Sequence, residues 1–481
     1  MAASARRRRA RDRVPRVVVR AGDRTNARGN AQPRRLLPSL LGPDVCVLPA
    51  RDEPLPVRRP DPARAGTRRR QAHAATWDCA APRRRPLRGV LAALVVAALA
   101  VGAFLLYPTA VPDDLTLPAL DASAVFGADF VAETKRYERV FYALWVLAQV
   151  ALLLTLWLYA RRGAGLARES SAGPIGTGML LGMLGLGIVW LVHLPFGLAA
   201  HWWTRRNEQS ELSYVDWLFD DWAVLGAQFL SICVALLIVM GLARRLGDRW
   251  WLPGAAVFVA IASLFTFVAP YLDFTTDPLR DEALLAAARE YRSELGTGDI
   301  PIRVEEVSAD TDQANAYAYG LGPSRRVVFW DTMLLDPFSE DEQKVVLAHE
   351  LAHHSQRHLP EGLGWFALFA IPGAWILMRT TRGRGGMGAP AAVPLALLVV
   401  AVYQLATAPL ANHISRRMEA EADWKALQVT RDPAALEGLM LAFSETSLGD
   451  PDPPGWVQLM VGTHPALADR IAMARAFAER R

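Results

Sequence analysis

The sequence predicts a mainly α-helical multi-pass membrane protein with about seven transmembrane helices and one small α+β unit. Three observations support this fold class. Hydrophobic residues make up 52% of the 481-residue chain. From Gly89 onward, long uncharged apolar runs approach the roughly 20 residues that a helix needs to cross a bilayer. Between the fifth and sixth runs lie about 90 mostly polar residues, which are predicted to form a separate unit.

The first 88 residues differ from the rest in charge. They contain 23 Arg, no Lys and 7 acidic residues, a balance of +16, so the formal net charge of +5 leaves −11 for the remainder. This Arg- and Pro-rich segment lacks apolar periodicity and is predicted to be a disordered tail. A solvated tail is favoured over one that binds anionic lipid or nucleic acid, so nucleic acid is not an expected partner. An alternative is that translation starts downstream of Met1, although the next methionine is Met179.

Seven apolar runs are predicted to cross the membrane, which makes the lipid bilayer the expected surroundings of the chain. Trp and Tyr residues near the ends of several runs fit the membrane interface, where amphipathic rings are enriched. The predicted spans are residues 89–107, 140–160, 177–200, 222–243, 251–272, 362–378 and 389–410. Five spans therefore fall within residues 89–272 and two within 361–410, and residues 411–481 are predicted to be a helical C-terminal part.

The polar unit, residues 273–360, mixes helix and strand signals. Ser339 and Glu342 form a capping box, which predicts a helix that runs from there to about His358. Upstream, helical periodicity ends at Gly296, and three short runs have strand character. The predicted helix is residues 278–295, and the predicted strands are residues 302–307, 314–319 and 325–330.

The helix after Ser339 carries the sequence His-Glu-Leu-Ala-His at positions 349–353. Residues four apart share one helix face, so His349 and His353 can bind one cation while Glu350 lies beside its water as a general base. The three cysteines, Cys46, Cys79 and Cys233, show no metal-site spacing, so the ligands must be histidines and carboxylates. The alternative is a solvated histidine-rich helix end.

A catalytic zinc ion needs a third protein ligand and an open position. Glu419 is the best candidate in the sequence, and Asp423, on the same helix face, can accept the free ring N–H of a ligating histidine. Two predicted spans separate His353 from Glu419, so the chain crosses the bilayer and returns. The expected cofactor is one Zn²⁺ per chain, bound by His349, His353 and Glu419.

In these residues the chain resembles the M48 membrane zinc peptidases, which include the CAAX prenyl proteases of the Ste24 type and the heat-shock protease HtpX. The resemblance covers about residues 177–470. Residues 315–320 look like the family's NAxxxG edge strand, 327–332 like its strand and DT step, and 415–423 like its SRxxExxAD motif. Seven spans favour the Ste24-like branch.

The resemblance implies a zincin-like catalytic unit in residues 273–360 and a peptide or protein substrate. It implies that Asn315 and Ala316, on the edge strand, bind the substrate, and that His464 of a His-Pro element, with Arg470, stabilises the oxyanion. It further implies metalloendopeptidase activity of the CAAX-processing type.

Three matters remain open from sequence. One alternative to CAAX processing is an HtpX-like protease for the quality control of membrane proteins. Another is a catalytically silent seven-span scaffold or transporter. The Arg-rich loops place the site outside the cell by the positive-inside rule, whereas the resemblance implies a cytosolic site. The sequence does not indicate an oligomeric state.

Overall fold

The computed structural model describes residues 85–168, 171–309 and 311–480. Residues 1–84 of the predicted tail lie outside the described part of the chain. In chain order the elements are α1 Arg85–Leu106, α2 Ala122–Phe126, α3 Ala128–Arg162, α4 Gly173–Arg206, α5 Tyr214–Leu246, α6 Trp251–Leu272, β1 Thr276–Pro278, α7 Glu282–Leu295, β2 Ile302–Glu305, β3 Ala316–Tyr319, β4 Arg326–Trp330, α8 Glu340–Ser355, α9 His358–Thr381, α10 Val393–Thr430, α11 Pro433–Ser447, α12 Gly455–Met460 and α13 Leu467–Glu479.

Six helices in the described part of the chain are long and apolar enough to span a bilayer: α3, α4, α5, α6, α9 and α10. The first of the seven predicted spans, residues 89–107, falls on α1, where the structure describes an apolar helix at Val95–Leu106. Large apolar side chains such as Leu230, Phe265 and Leu264 are exposed on these helices, as expected for surfaces that face lipid. The protein is a multi-pass membrane protein.

The Arg-rich connections lie together at the end of the helices remote from the α+β unit. Arg382, after α9, pairs with Asp248, between α5 and α6, at 2.9 Å. Arg244 donates to the Gly388 carbonyl at 3.4 Å. These contacts place the connections after α5 and after α9 on the same side of the membrane.

The polar unit contains a four-stranded sheet with the strand order β1-β2-β4-β3. Strand β4 pairs parallel to β2 and antiparallel to β3, and β1 pairs antiparallel to β2. The three predicted strands are present in slightly shorter form, and β1 was not predicted. Helix α7 begins at Glu282, four residues later than predicted, because the Asp281 side chain caps it by accepting from Leu284 N–H.

Helix α8 is the centre of the polar unit. Its capping box forms as predicted, since Ser339 Oγ accepts from Glu342 N–H and Glu342 Oε2 accepts from Ser339 N–H at 2.8 Å. Leu347 and Leu351 are fully buried against the sheet residue Phe329. Helices α11 and α13 join the same core through residues such as Leu436 and Ile471.

Two predicted boundaries are wrong. Helix α8 ends at Ser355 and not at His358, because Arg357 adopts a left-handed conformation and His358 begins α9. The last span and the charged segment around Glu419 were predicted as separate elements, but the structure has one continuous helix, α10, with Pro409 inside it. Glu419 therefore lies on the extension of a membrane helix.

Candidate metal centre

Helix α8 and the C-terminal part of α10 bring three potential ligands together. His349 Nε2 lies 3.2 Å from Glu419 Oε2, and His353 Nε2 lies 3.7 Å from Glu419 Oε1. The two ring nitrogens are 3.1 Å apart. Among the described residues, this trio is a group whose ligand atoms all lie within 4.8 Å of one another. The arrangement could hold one metal ion, as the helical spacing predicted.

His349 is held from behind by Asp423. Its Nδ1 lies 2.9 Å from Asp423 Oδ1, and Asp423 is only 1% exposed. Arg470, on α13, donates to both oxygens of the same carboxylate at 2.7 Å. Since Asp423 is ionised beside Arg470, His349 donates Nδ1–H to it, and Nε2 is the ring nitrogen that faces the ligand cluster.

The surroundings of His349 stabilise its protonated form, whereas those of His353 stabilise the neutral form. Burial lowers the pKa of His349, but the nearby carboxylates of Asp423 and Glu419 outweigh burial and raise it to about 10. Burial, together with the charge of His349, lowers the pKa of His353 to about 3. His353 is therefore neutral, with a lone pair free to bind a metal. The two carboxylates around these rings provide the negative charge that a divalent cation requires.

Glu350 is buried beside the cluster and is 7% exposed. Burial raises its pKa to about 7, and the charge of Glu419 acts in the same direction. His349 and Arg470, and a hydrogen bond from the Ala318 backbone, partly oppose this shift. A carboxyl group with a pKa near neutrality can both accept and return a proton at physiological pH.

Strand β3 presents a free edge to the site. Trp330 N–H donates to the Asn315 carbonyl at 2.9 Å, so Asn315 and Trp330 form a hydrogen-bonded antiparallel pair. Because such pairs alternate along a ladder, the backbone groups of Ala316 and Ala318 point away from β4. In the described part of the chain, no strand pairs with that side of β3.

A cavity of about 400 Å³ lies between this edge and the ligands. Asn315, Ala316, Glu350 and His464 are among the residues that line it. His464 Nε2 lies 3.3 Å from Glu419 Oε2, and its side chain is 60% exposed. Thr463 Oγ1 contacts the other ring nitrogen of His464 at 3.1 Å. The cavity thus has a polar group on each side of the ligand cluster.

The structure changes the interpretation of two predicted features and adds one that was not predicted. The guanidinium of Arg470 contacts Asp423 and not the cavity. His354 is buried and its Nε2 contacts the Arg326 carbonyl at 2.9 Å, so this end of α8 is not solvated. His358, to which the sequence assigned no catalytic role, is buried with its Nδ1 2.9 Å from His353 Nδ1, and the buried Glu421 lies 3.5 Å from the other ring nitrogen of His358. The sequence signal for His358 was its resemblance to the further histidine of the family's extended HExxH helix.

A family model described as "Peptidase family M48" matches residues 278–478 of the chain. The chain is 27% identical over 303 residues to an uncharacterized metalloprotease, YhfN, of Bacillus subtilis, across 60% of this chain and 70% of that protein. It is 30% identical over 192 residues to a protease HtpX homolog of Methylibium petroleiphilum, across 35% and 67% of the two chains. For an HtpX homolog of Burkholderia mallei the identity is 31% over 182 residues, across 34% and 64%.

The fold is also similar to a solved structure. The crystal structure of S. mikatae Ste24p superposes with a TM-score of 0.63 and 16% sequence identity, covering 81% of this chain and 98% of that one. At this identity the similarity concerns the fold alone. It extends over the membrane helices as well as the polar unit, because the matched region is larger than residues 278–478.

Proposed function

Since this chain belongs to peptidase family M48 and is a membrane metalloprotease, we propose that it is a zinc-dependent metalloendopeptidase whose site is built from His349, His353, Glu419 and Glu350. One observation carries the proposal: the ligand atoms of two histidines and a glutamate converge, with a buried carboxyl group beside them. The proposed reaction is hydrolysis of peptide bonds within a protein or peptide chain.

The donor set suits one zinc ion per chain. Two imidazole nitrogens and one carboxylate would hold the ion with three protein ligands, the number found at catalytic zinc sites, where water takes the remaining position. Glu419 Oε2 is buried without a hydrogen-bond donor, which is costly for a carboxylate unless a cation lies beside it. When bound, zinc supplies Lewis acidity that polarises the scissile carbonyl and makes a water molecule more acidic.

Glu350 performs the proton transfers in this proposal. Its carboxylate accepts a proton from the attacking water and later delivers it to the nitrogen of the leaving amine. The raised pKa fits this double role, because the group must release the proton it has taken. The hydrogen bond from the Ala318 backbone fixes the carboxyl group next to β3, where the substrate would bind.

Asp423, Arg470 and His464 have distinct proposed roles. Asp423 orients His349 and fixes its tautomer. Arg470 keeps Asp423 ionised and in place, so it acts on the reaction through that carboxylate. His464, exposed at the cavity, can donate a hydrogen bond to the oxyanion of the tetrahedral intermediate.

The free edge of β3 is the proposed site of the peptide. An extended substrate adds to the edge through backbone hydrogen bonds with Ala316, and the Asn315 side chain, at the cavity, contacts its polar groups. A substrate that runs along a strand edge extends beyond the cleaved bond in both directions. This geometry favours an endopeptidase over an enzyme that removes terminal residues.

The test combines metal content with cleavage. Purified wild-type protein should contain about one zinc ion per chain and cleave an unstructured protein such as casein. Glu350→Gln should keep the zinc and lose about 10²–10⁴-fold in rate, the range for a missing general base. Glu340→Gln is the matched control on the same helix, because Glu340 pairs with Lys344 at the exposed N-terminal turn. A zinc-free wild type, or equal rates for wild type and Glu350→Gln, would contradict the proposal and favour a silent scaffold.

The substrate class is tested separately. We propose CAAX-type processing of prenylated proteins as the first candidate and quality control of membrane proteins as the second. Proteomic comparison of membranes that contain the wild type or Glu350→Gln identifies the proteins that accumulate in the variant. Accumulation of prenylated proteins supports the first candidate, and accumulation of unrelated membrane proteins supports the second.

The positive-inside rule and the family resemblance disagree about which side of the membrane the proposed site faces. By the positive-inside rule the Arg-rich connections favour a site outside the cell, whereas the family resemblance favours a site in the cytosol. Glu290→Cys, on the exposed face of α7, reports on this in a background with Cys46, Cys79 and Cys233 changed to Ser. Labelling of intact cells by a membrane-impermeant maleimide establishes an external site. Labelling only after permeabilisation establishes a cytosolic one.

A further inference from the structure

A second line of contacts reaches the ligand cluster from the side opposite Asp423. His353 Nδ1 lies 2.9 Å from His358 Nδ1. His358 Nε2 in turn lies 3.5 Å from Glu421 Oε2. Both His358 and Glu421 are buried, at 4% and 5% exposure. A proposed metal ligand is thus connected, through one imidazole, to a buried carboxylate that does not touch the cluster.

Glu421 is tied to the segment that follows α1. The backbone N–H of Ala110 donates to Glu421 Oε1 at 2.9 Å, and Thr109 Oγ1 lies 3.4 Å from Oε2. These residues are more than 300 positions apart in the sequence. A buried carboxylate is stable only when its oxygens are hydrogen-bonded, so the contact with Ala110 stabilises Glu421 in the position from which it reaches His358.

Arg417 holds the same segment from the neighbouring turn of α10. Arg417 and Glu421 are four residues apart and share one helix face. The Arg417 guanidinium donates to the carbonyls of Leu106, Tyr107 and Pro108, and to Glu361 Oε1 at 2.8 Å. The guanidinium thereby provides hydrogen-bond donors for carbonyl groups at the C-terminal end of α1, which have no partners within the helix. The connecting segment, residues 106–110, is therefore bound to α10 at both of its ends.

If His353 binds a metal through Nε2, the protons on the His353 and His358 rings can be placed in only one way. Its Nδ1 then carries the proton and donates to His358 Nδ1. His358 must carry its own proton on Nε2, the ring nitrogen that lies 3.5 Å from Glu421 Oε2. His349 has a carboxylate directly behind it, whereas His353 has an imidazole and a carboxylate in series.

The break between α8 and α9 makes this arrangement possible. On one continuous helix, residues five apart point in directions about 140° apart, so the two rings would not meet. The left-handed conformation of Arg357 redirects the chain before His358. The imidazole of His358 returns to His353, and the rings lie edge to face with centroids 4.9 Å apart.

We propose that His358 and Glu421 are positioning residues for His353, and that the connecting segment 106–110 anchors them. The proposal rests on the proposed zinc site. It makes α1 and its connection part of the metal centre, although they precede the family-matched residues 278–478. The His353–His358–Glu421 series fixes the ring orientation and tautomer of His353, and thereby sets the affinity for zinc.

The experiment measures zinc affinity by competition with a chelator of known affinity, together with thermal unfolding of the metal-free protein. Glu421→Gln and His358→Phe should weaken zinc binding about 10–100-fold, the usual effect of losing a group behind a ligand. Glu437→Gln is the control, because Glu437 pairs with Arg475 far from the cluster. It should bind zinc as the wild type does.

A second pair of variants tests the anchor without changing a buried side chain. Ala110→Pro removes the N–H that donates to Glu421, and its ring also restricts the backbone at residues 109 and 110, so it should weaken zinc binding several-fold. Ala110→Ser keeps the N–H and should not. This pair remains informative if Glu421→Gln or His358→Phe fails to fold.

The outcomes separate this inference from the proposed function. A wild type without zinc contradicts the function itself. A wild type that binds zinc, with His358, Glu421 and Ala110 variants of equal affinity, overturns the inference alone. Lower melting temperatures of the metal-free variants with unchanged zinc affinity would also overturn it, because they would show a role in stability only.

Discussion

His349 Nδ1 and Asp423 Oδ1 lie 2.9 Å apart although 74 residues and two membrane helices separate them in the chain. The contact joins α8 of the polar unit to the extension of α10. Arg470 closes the arrangement from α13 with two hydrogen bonds to the same carboxylate. Three segments that are distant in sequence thus fix one imidazole ring.

Replacing Asp423 by Asn tests this contact. Asn keeps the size of the side chain but removes the charge that makes His349 donate from Nδ1, so we expect zinc affinity to fall about 10–100-fold. Chelator competition measures the change. Asp432→Asn, at the start of α11, is the control for a capping Asp remote from the metal, and it should bind zinc normally. Unchanged affinity in Asp423→Asn would exclude an orienting role for the carboxylate.

His464 should affect catalysis and not metal binding. His464→Ala removes a donor at the cavity, and we expect kcat to fall about 10²–10³-fold, as for other lost oxyanion donors, with the zinc content unchanged. Thr463→Val, which removes only the contact to the ring, should cost less. Steady-state kinetics with a fluorogenic peptide provide the comparison. Loss of zinc in His464→Ala would instead identify His464 as a ligand.

The free edge of β3 should determine substrate affinity. Ala316→Pro removes the N–H that faces the cavity, so we expect KM to rise about 3–10-fold, which corresponds to one net hydrogen bond. Ala316→Val keeps the N–H and fits a strand, so its KM should stay close to that of the wild type. A larger effect of Val than of Pro would mean that the side chain, and not the backbone, contacts the substrate.

Gly320, after β3, should be needed for stability. Its φ is +91°, and an added Cβ would lie 2.3 Å from the Ser324 carbonyl oxygen. Gly320→Ala should therefore lower the free energy of unfolding by at least about 1–2 kcal/mol. Gly322→Ala is the control: its φ is also positive, but no atom lies within 4 Å of the added Cβ. Thermal unfolding should show the larger loss at Gly320, and equal losses would contradict the steric argument.

The sequence predicted the membrane helices and the meeting of His349, His353 and Glu419 because both depend on simple rules. Apolar runs of bilayer length predict spans, and a four-residue spacing on a helix predicts a shared face. An even number of crossings returns the chain to the same side. The contact between His349 and Asp423 likewise followed from Asp423 sharing a face with Glu419.

The role of His358 and Glu421 could not be predicted, because it depends on the fold and not on local spacing. His358 reaches His353 only because Arg357 breaks the helix, and Arg is not a residue that marks left-handed conformations. Glu421 is two residues from Glu419 and therefore points away from it on a helix. Its partner, Ala110, is a backbone group in a connection, which no side-chain pattern indicates. The strand order could not be predicted either, because β1, which forms one edge of the sheet, is only three residues long and gives no strand signal.

The continuous helix α10 has a practical consequence for anyone who wishes to isolate the enzyme's active part. Residues 273–357 contain the sheet, His349, His353 and Glu350, but Glu419 and Asp423 come only with a helix whose first half is apolar and long enough to cross a bilayer. Trimming the bilayer-embedded portion to obtain a water-soluble fragment would remove or detach the third ligand. Detergent or nanodisc preparations of the whole chain are therefore the form in which its chemistry has to be studied.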